Sequence, residues 1–223
     1  PNKNIRELAG HPLMAYSIAA ALESGIFDRI IVSSDSEKYL EVALRYGADC
    51  HFEKIVGDRY DYKWIDQVLN RNWDYRLNRP EYFAILRPTS PFRSVETIRR
   101  CFTEWNWDKY DSIRAVEPVS QHPGKMWVVR EKTMYPLLPA GPVDPPWHSS
   151  PTQNLPQVYI QNASLEMASL EAFNRTKTIS GWKIQAFFTD SLEGYDLNSE
   201  YDWEIAKKLI RDGVATLPEV LNG

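Results

Sequence analysis

The sequence predicts an α/β fold on a largely parallel sheet. Three observations carry that expectation. Short apolar, β-branched runs alternate with amphipathic stretches as far as residue 119. Cap residues and single glycines punctuate the alternation. The chain has 223 residues, 43% hydrophobic and 25% charged, enough for a proper core without staples. In such sheets ligands sit beyond the carboxyl ends of the strands. The loops after Ser33, after Leu86 and near Asp196 are therefore the places to look.

The elements follow in order. Residues 12–24 read as a helix, with Pro12 at the first helical position, an apolar face of Leu13, Ile18, Ala21 and Leu22, and Gly25 as the stop. Residues 29–33 are a buried strand. Ser34-Asp35-Ser36-Glu37 has the spacing of a capping box and opens a helix that runs through Arg45 and ends at Gly47. A strand over 48–52, a helix over 62–78 and a strand over 82–86 come next. Two prolines make Arg87 to Arg93 a loop. Ser94 caps a helix through Trp105, and 111–119 is a strand.

The character changes between 120 and 157, where eight of the fifteen prolines lie. With one strand over 126–130, this stretch reads as an arm or lid excursion from a single domain, not as a second domain. A strand at 158–160, a short helix near 169–175, a strand over 183–188 and a helix over 199–211 complete the chain. Ser199 caps that last helix and Gly213 stops it.

Composition excludes several classes. A net charge of −4 argues against nucleic acid as the main partner. The two cysteines, Cys50 and Cys101, lack ligand spacing, and their usage suits a reducing cytoplasm. No run of about 18 apolar residues suggests a membrane span. The four histidines form no paired motif, no glycine-rich phosphate string occurs, and no nucleophile motif is present.

Two stretches can carry chemistry. The loop Arg87 to Arg93 places Thr89 and Ser90 on a proline-stiffened backbone between two guanidiniums. It can hold an anion ahead of a helix N-terminus, or serve as a rigid turn with caps; the residues alone leave both open. Asp196 and Asn198 stand two apart, so in extended backbone their side chains face one way. Carboxylate and amide oxygens suit magnesium completed by phosphate and water. Acidic residues ahead of a helix also complement its dipole, which is the simpler account of Glu200 and Asp202.

These strings occur in a telling order: Lys3-Asn4-Ile5, Leu8 to Leu13, Ile31-Val-Ser-Ser-Asp35, Tyr46-Gly-Ala48, Leu86 to Arg93, Gln153 to Pro156, Tyr159 to Ala163, and Tyr195 to Asp202. The succession resembles the acylneuraminate cytidylyltransferases, over essentially the whole chain. The resemblance implies a Rossmann-like nucleotidyltransferase fold, a homodimer built through the proline-rich arm, and magnesium. It also implies a reaction in which CTP and a nonulosonic, sialic-acid-like sugar acid give a CMP-sugar and pyrophosphate.

By position, the resemblance gives Lys3 and Asn4 to the nucleotide, Lys3 with a catalytic part, and Ser33, Ser34 and Asp35 to the nucleotide as well. Arg87, Thr89, Ser90, Lys125, Gln153, Tyr159 and Asn162 would meet the sugar acid. Asp196, also catalytic, and Asn198 would hold the metal.

The departures define the alternatives. Asn198 replaces a second carboxylate, Arg87 stands where most relatives have glutamine, Pro151-Thr152-Gln153 lacks two arginines, and Glu166 replaces a tyrosine. A changed base or sugar, or a non-catalytic binding homologue, therefore stays open. Relatives begin with a strand and an Ile-Pro-Ala-Arg-Gly-Gly-Ser-Lys-Gly loop. The resemblance thus leads us to expect about 15–20 residues ahead of Pro1, the length of a strand and a short loop.

Overall fold

The structure is a computed structural model and describes residues 2–52, 61–72, 80–139 and 141–221. The chain divides into two compact units, Pro1–Ala115 with Asn162–Gly223, and Val116–Gln161.

The larger unit opens with a short antiparallel pair, β1 (Glu7–Leu8) and β2 (His11–Pro12), and then α1 (Leu13–Ser24). Pro12 pairs in β2 and precedes α1, one position earlier than its helix-opening role predicts. Gly25 ends α1 at φ 66°, a conformation that costs a side-chain-bearing residue more. Next come β3 (Ile31–Ser34), α2 (Glu37–Arg45) and β4 (Asp49–Phe52), with β3 and β4 parallel. The Ser34–Glu37 capping box is not made. Ser34 still belongs to β3, its hydroxyl accepts from the Ser36 amide at 3.1 Å, and Ser36 is the N-cap without a side-chain bond.

Helix α3 (Asp61–Asn72) accounts for the first part of the expected 62–78; positions from 73 on lie outside the described residues. Strand β5 (Tyr82–Ile85) and helix α4 (Val95–Glu104) flank the proline loop. Ser94 caps α4 as expected, in a full capping box with Thr97. Strand β6 (Ser112–Pro118) then carries the chain toward the smaller unit.

The smaller unit contains the hairpin of β7 (Trp127–Arg130) and β8 (Thr133–Pro136). His122 stitches it locally: Nδ1 accepts from the Gly124 amide at 2.9 Å and Nε2 donates to the Pro156 carbonyl at 3.0 Å. Gly124 is needed there, because a Cβ would come within 2.9 Å of the His122 ring.

Strand β9 (Tyr159–Ser169) returns the chain, followed by α5 (Leu170–Thr176), β10 (Ile184–Phe188) and α6 (Glu200–Arg211). β9 is far longer than the expected 158–160. Polar Asn162, Ser164 and Glu166 alternate with Ala163, Leu165 and Met167, a period of two that marks a strand.

The four-stranded sheet has the order β10-β6-β9-β5. β9 is antiparallel to β5, and the Ser169 amide donates to the Asp111 carbonyl, so the end of β9 meets the start of β6. β6 and β10 start side by side, with the Asp111 amide bonded to the Lys183 carbonyl. The α/β class holds, with strand directions more mixed than a largely parallel sheet. The core under this sheet joins Ile98, Cys101, Ile113, Ala115, Leu165 and Met167. A second core holds Leu8, Leu13, Phe92, Leu197 and Trp203.

Candidate functional site

The Arg87–Arg93 loop is held from below by its own last residue. Arg93 is 1% exposed. Its guanidinium donates to the Ser17 hydroxyl at 2.6 Å, to the Arg87 carbonyl at 3.3 Å and to the Ser164 carbonyl. Burial pushes its pKa down, to about 9. It stays a cation at neutral pH, pulling three oxygens together. The expectation of two guanidiniums facing an anion is thus half corrected: Arg93 is spent on the interior, and Arg87 is exposed.

The second stretch is fastened to this loop. The Leu197 amide donates to the Thr89 carbonyl at 2.8 Å. Leu197 is fully buried beside Phe92 in the same core, a burial worth about 1.5–3 kcal/mol. With Leu197 turned inward, its neighbours turn toward each other: Asn198 Nδ2 donates to Asp196 Oδ2 at 2.7 Å. Lys3 Nζ reaches the Leu197 carbonyl at 2.9 Å and Asn198 Oδ1 at 3.4 Å. The structure therefore brings Lys3, Asp196 and Asn198 together from opposite ends of the chain.

Asp202 anchors the turn that follows. Its Oδ2 accepts from the Asn198 and Ser199 amides at 2.9 and 2.6 Å and from the Ser199 hydroxyl at 2.8 Å. The hydroxyl bond chiefly, then the two amides, hold its carboxyl below the usual range.

Asp196 Oδ1 is buried and has no hydrogen-bond partner. An acceptor left that way is costly unless a cation meets it. It fits one oxygen of a magnesium shell that phosphate and water would complete. Asn198 is engaged instead with Asp196 and Lys3. Among the described residues there is no group of three or more His, Cys, Asp or Glu side chains set to hold a metal.

The nucleotide residues divide. A cavity of about 860 Å³ is walled by β3 and β5 and lined by Asn4, Ser33, Ser34 and Arg87, among others. Much of the rest is apolar, from Ile18 of α1 to Val68 and Leu69 of α3. Ser33 Oγ already accepts from Trp64 Nε1 at 2.9 Å, and Ser34 Oγ serves the turn before α2. Asp35 is exposed.

Among the sugar residues, the Ser90 hydroxyl is buried without a partner. Asn162 donates to Thr189 Oγ1 at 2.8 Å and accepts from the Ser164 amide at 3.2 Å. Lys125, Gln153 and Tyr159 belong to the smaller unit, where all three are exposed. Sequence reading noted Glu166 only as a departure and missed Arg114; the two form an ion pair beside Arg87. The available signal was a charged residue in the middle of an apolar run in each of β6 and β9.

Residues 1–56 match the family described as Cytidylyltransferase. The N-acylneuraminate cytidylyltransferase of Escherichia coli O18:K1:H7 is 32% identical over 209 residues, covering 92% of this chain and 47% of that protein. The chain thus spans about half the length of that relative. The CMP-N,N'-diacetyllegionaminic acid synthase of Legionella pneumophila is 28% identical over 219 residues, covering 94% of this chain and 90% of that protein. A solved CMP:2-keto-3-deoxy-manno-octonic acid synthetase, complexed with CTP, is similar at a TM-score of 0.67 and 10% identity, covering 96% of this chain and 93% of that one. At that identity the likeness is one of fold. With the nucleotidyltransferase fold and this similarity along nearly all of its length, the chain is similar to the cytidylyltransferases, the acylneuraminate enzymes among them.

Proposed function

We propose that the protein transfers a cytidylyl group from CTP to a nonulosonic sugar acid, releasing pyrophosphate. The observation that carries the reading is the junction of Lys3, Asp196 and the Arg87–Ser90 loop, fastened through Leu197 and Thr89. The anomeric hydroxyl attacks the α-phosphorus as the bond to the pyrophosphate oxygen breaks. Such a displacement needs orientation and countercharge more than a covalent nucleophile. Lys3 supplies charge beside the phosphates, Asn4 meets the nucleoside, and Ser33, Ser34 and Asp35 border it. Arg87, Thr89, Ser90 and Asn162 hold the sugar acid, with Lys125, Gln153 and Tyr159 as further sugar contacts. Asp196 Oδ1 would hold magnesium, which when bound neutralises charge developing on the phosphates.

The β3–β5 cavity borders the nucleotide residues Asn4, Ser33 and Ser34. Each of these strands has one ladder partner among the described residues, and both line the cavity. The hairpin unit exposes Val129, Met134, Tyr135 and Val143, apolar surface that suits a homodimer interface. No described helix is long and apolar enough to cross a membrane, and a CTP-dependent step fits the cytoplasm.

The test is pyrophosphate release from CTP and a panel of nonulosonic acids, with and without magnesium. Magnesium-dependent release is expected. Absence of turnover with every acid and nucleotide would leave a non-catalytic binding homologue.

A further inference from the structure

We infer that Asn198 is a spacer and not a metal ligand: its amide stands between Lys3 and Asp196 and keeps the ammonium off the carboxylate. One aspartate oxygen is thereby left for a divalent cation, and the lysine is left for phosphate. The inference rests on the CTP reading above. A carboxylate only accepts hydrogen bonds, and an ammonium only donates them. Asn198 meets one of each: Nδ2 donates to Asp196 Oδ2 at 2.7 Å, and Oδ1 accepts from Lys3 Nζ at 3.4 Å. Turning the amide over would set oxygen against oxygen and N–H against N–H. Its two neighbours therefore fix which way it points.

The backbone holds the spacing. Lys3 Nζ also donates to the Leu197 carbonyl at 2.9 Å, and Leu197 is fully buried. The Asn198 backbone N–H donates to Asp202 Oδ2 at 2.9 Å. Lys3 is thus anchored to the residue after Asp196, and among the described residues no direct bond joins Lys3 to Asp196.

The arrangement divides the work. A lysine and an aspartate in direct contact neutralise one another, and each loses pull on a third ion. With the amide between them, Asp196 Oδ2 is occupied, while Oδ1 stays buried and without a hydrogen-bond partner. One carboxylate oxygen is a fitting share of a magnesium shell completed by phosphates and water. Lys3 uses two of its three N–H donors on Leu197 and Asn198 and keeps the third for phosphate. The Asn198 oxygen is a poor seat for a cation, because the Lys3 ammonium already lies against it. Without Asn198, the flexible lysine closes on Asp196 and competes with the metal.

The experiment is a double-mutant cycle on manganese binding, read by water-proton relaxation at CTP concentrations that saturate each protein. CTP alone is the blank, and melting curves are the folding control. Asn198→Ala should weaken manganese binding about tenfold, within the span seen for groups in one hydrogen-bond network. Adding Lys3→Met to it should restore wild-type affinity, whereas Lys3→Met alone should change affinity far less. If Asn198 is a ligand, Lys3→Met acts equally in both backgrounds and the loss from Asn198→Ala persists. That result overturns the inference. A merely structural Asn198 is not rescued by removing Lys3 either.

Crystals grown with manganese and CTP give the direct view. An anomalous peak on Asp196 Oδ1, with the Asn198 amide still on Lys3, is expected; a peak bonded to Asn198 Oδ1 overturns the inference. Pyrophosphate release separates the two ideas. If manganese binds in the expected pattern but no nonulosonic acid turns over, the transfer reading falls alone. If turnover occurs and the cycle shows no coupling, the inference falls alone. If no protein holds manganese beyond what CTP alone binds, both fall.

Discussion

The Arg87–Arg93 loop and the Asp196–Asn198 segment touch through one backbone bond, yet their polar groups are satisfied in opposite ways. The loop is held from inside, by a buried guanidinium on two carbonyls and a hydroxyl. The segment is held from outside, by exposed caps and by Lys3. A cation with no carboxylate beside it is usually costly to bury. Arg93 is tolerated because its oxygens come from three separate elements, and that makes it a structural pin. Asp196 keeps an unpartnered oxygen. The first arrangement builds rigidity, and the second keeps an acceptor in reserve.

The sharpest way to break this contrast is Arg93→Met. It should cost about 3–5 kcal/mol in urea unfolding, through orphaned buried carbonyls and lost packing. Arg87→Gln, in the same loop, should stay within about 0.5 kcal/mol of wild type. Equal costs would mean that the interior pin is not what holds the loop.

Asp196→Ala tests the other side. Turnover should fall about a thousandfold, as for loss of a group that stabilises transition-state charge, with the urea midpoint unchanged. Full activity would remove Asp196 from the chemistry. Ser199→Ala should destabilise the protein by about 1 kcal/mol, the typical worth of an N-cap. Slow amide exchange in α6 should be lost before that in α4.

The smallest effect is electrostatic. A carboxylate held below its usual range adds stability that is present above the unfolded pKa and lost as pH falls through the folded value. Asp202 is such a group. The first turn of α6 should therefore loosen as pH drops below about 4. Ser199→Ala should move the Asp202 titration back up, as followed by carboxyl NMR. An unshifted titration would assign the depression to the backbone amides instead.

Some of this was readable in advance because it depends on neighbours in the chain. Ser94 and Ser199 cap their helices as the spacing predicts. Gly25 and Gly213 stop theirs at positive φ. The proline loop and the Asp196–Asn198 pair were also visible as strings. One reading failed where a tighter local turn competed for the same atom: the Ser34 hydroxyl accepts from the Ser36 amide and does not cap α2. The bond from Trp64 of α3 to the Ser33 hydroxyl is a contact that the string does not show.

The sequence by itself determined the α/β class, the caps of α4 and α6, and the strings that form the proline loop and the Asp196–Asn198 segment. Each of these is written in local periodicity, caps or contiguous motifs. Only the tertiary structure decided which arginine of the proline loop is buried and which is exposed. It alone set Lys3 against Asn198 and placed Glu166 between Arg87 and Arg114. The physical reason is that the state of a charge depends on its burial and on partners many residues away, and neither is carried by the string around it.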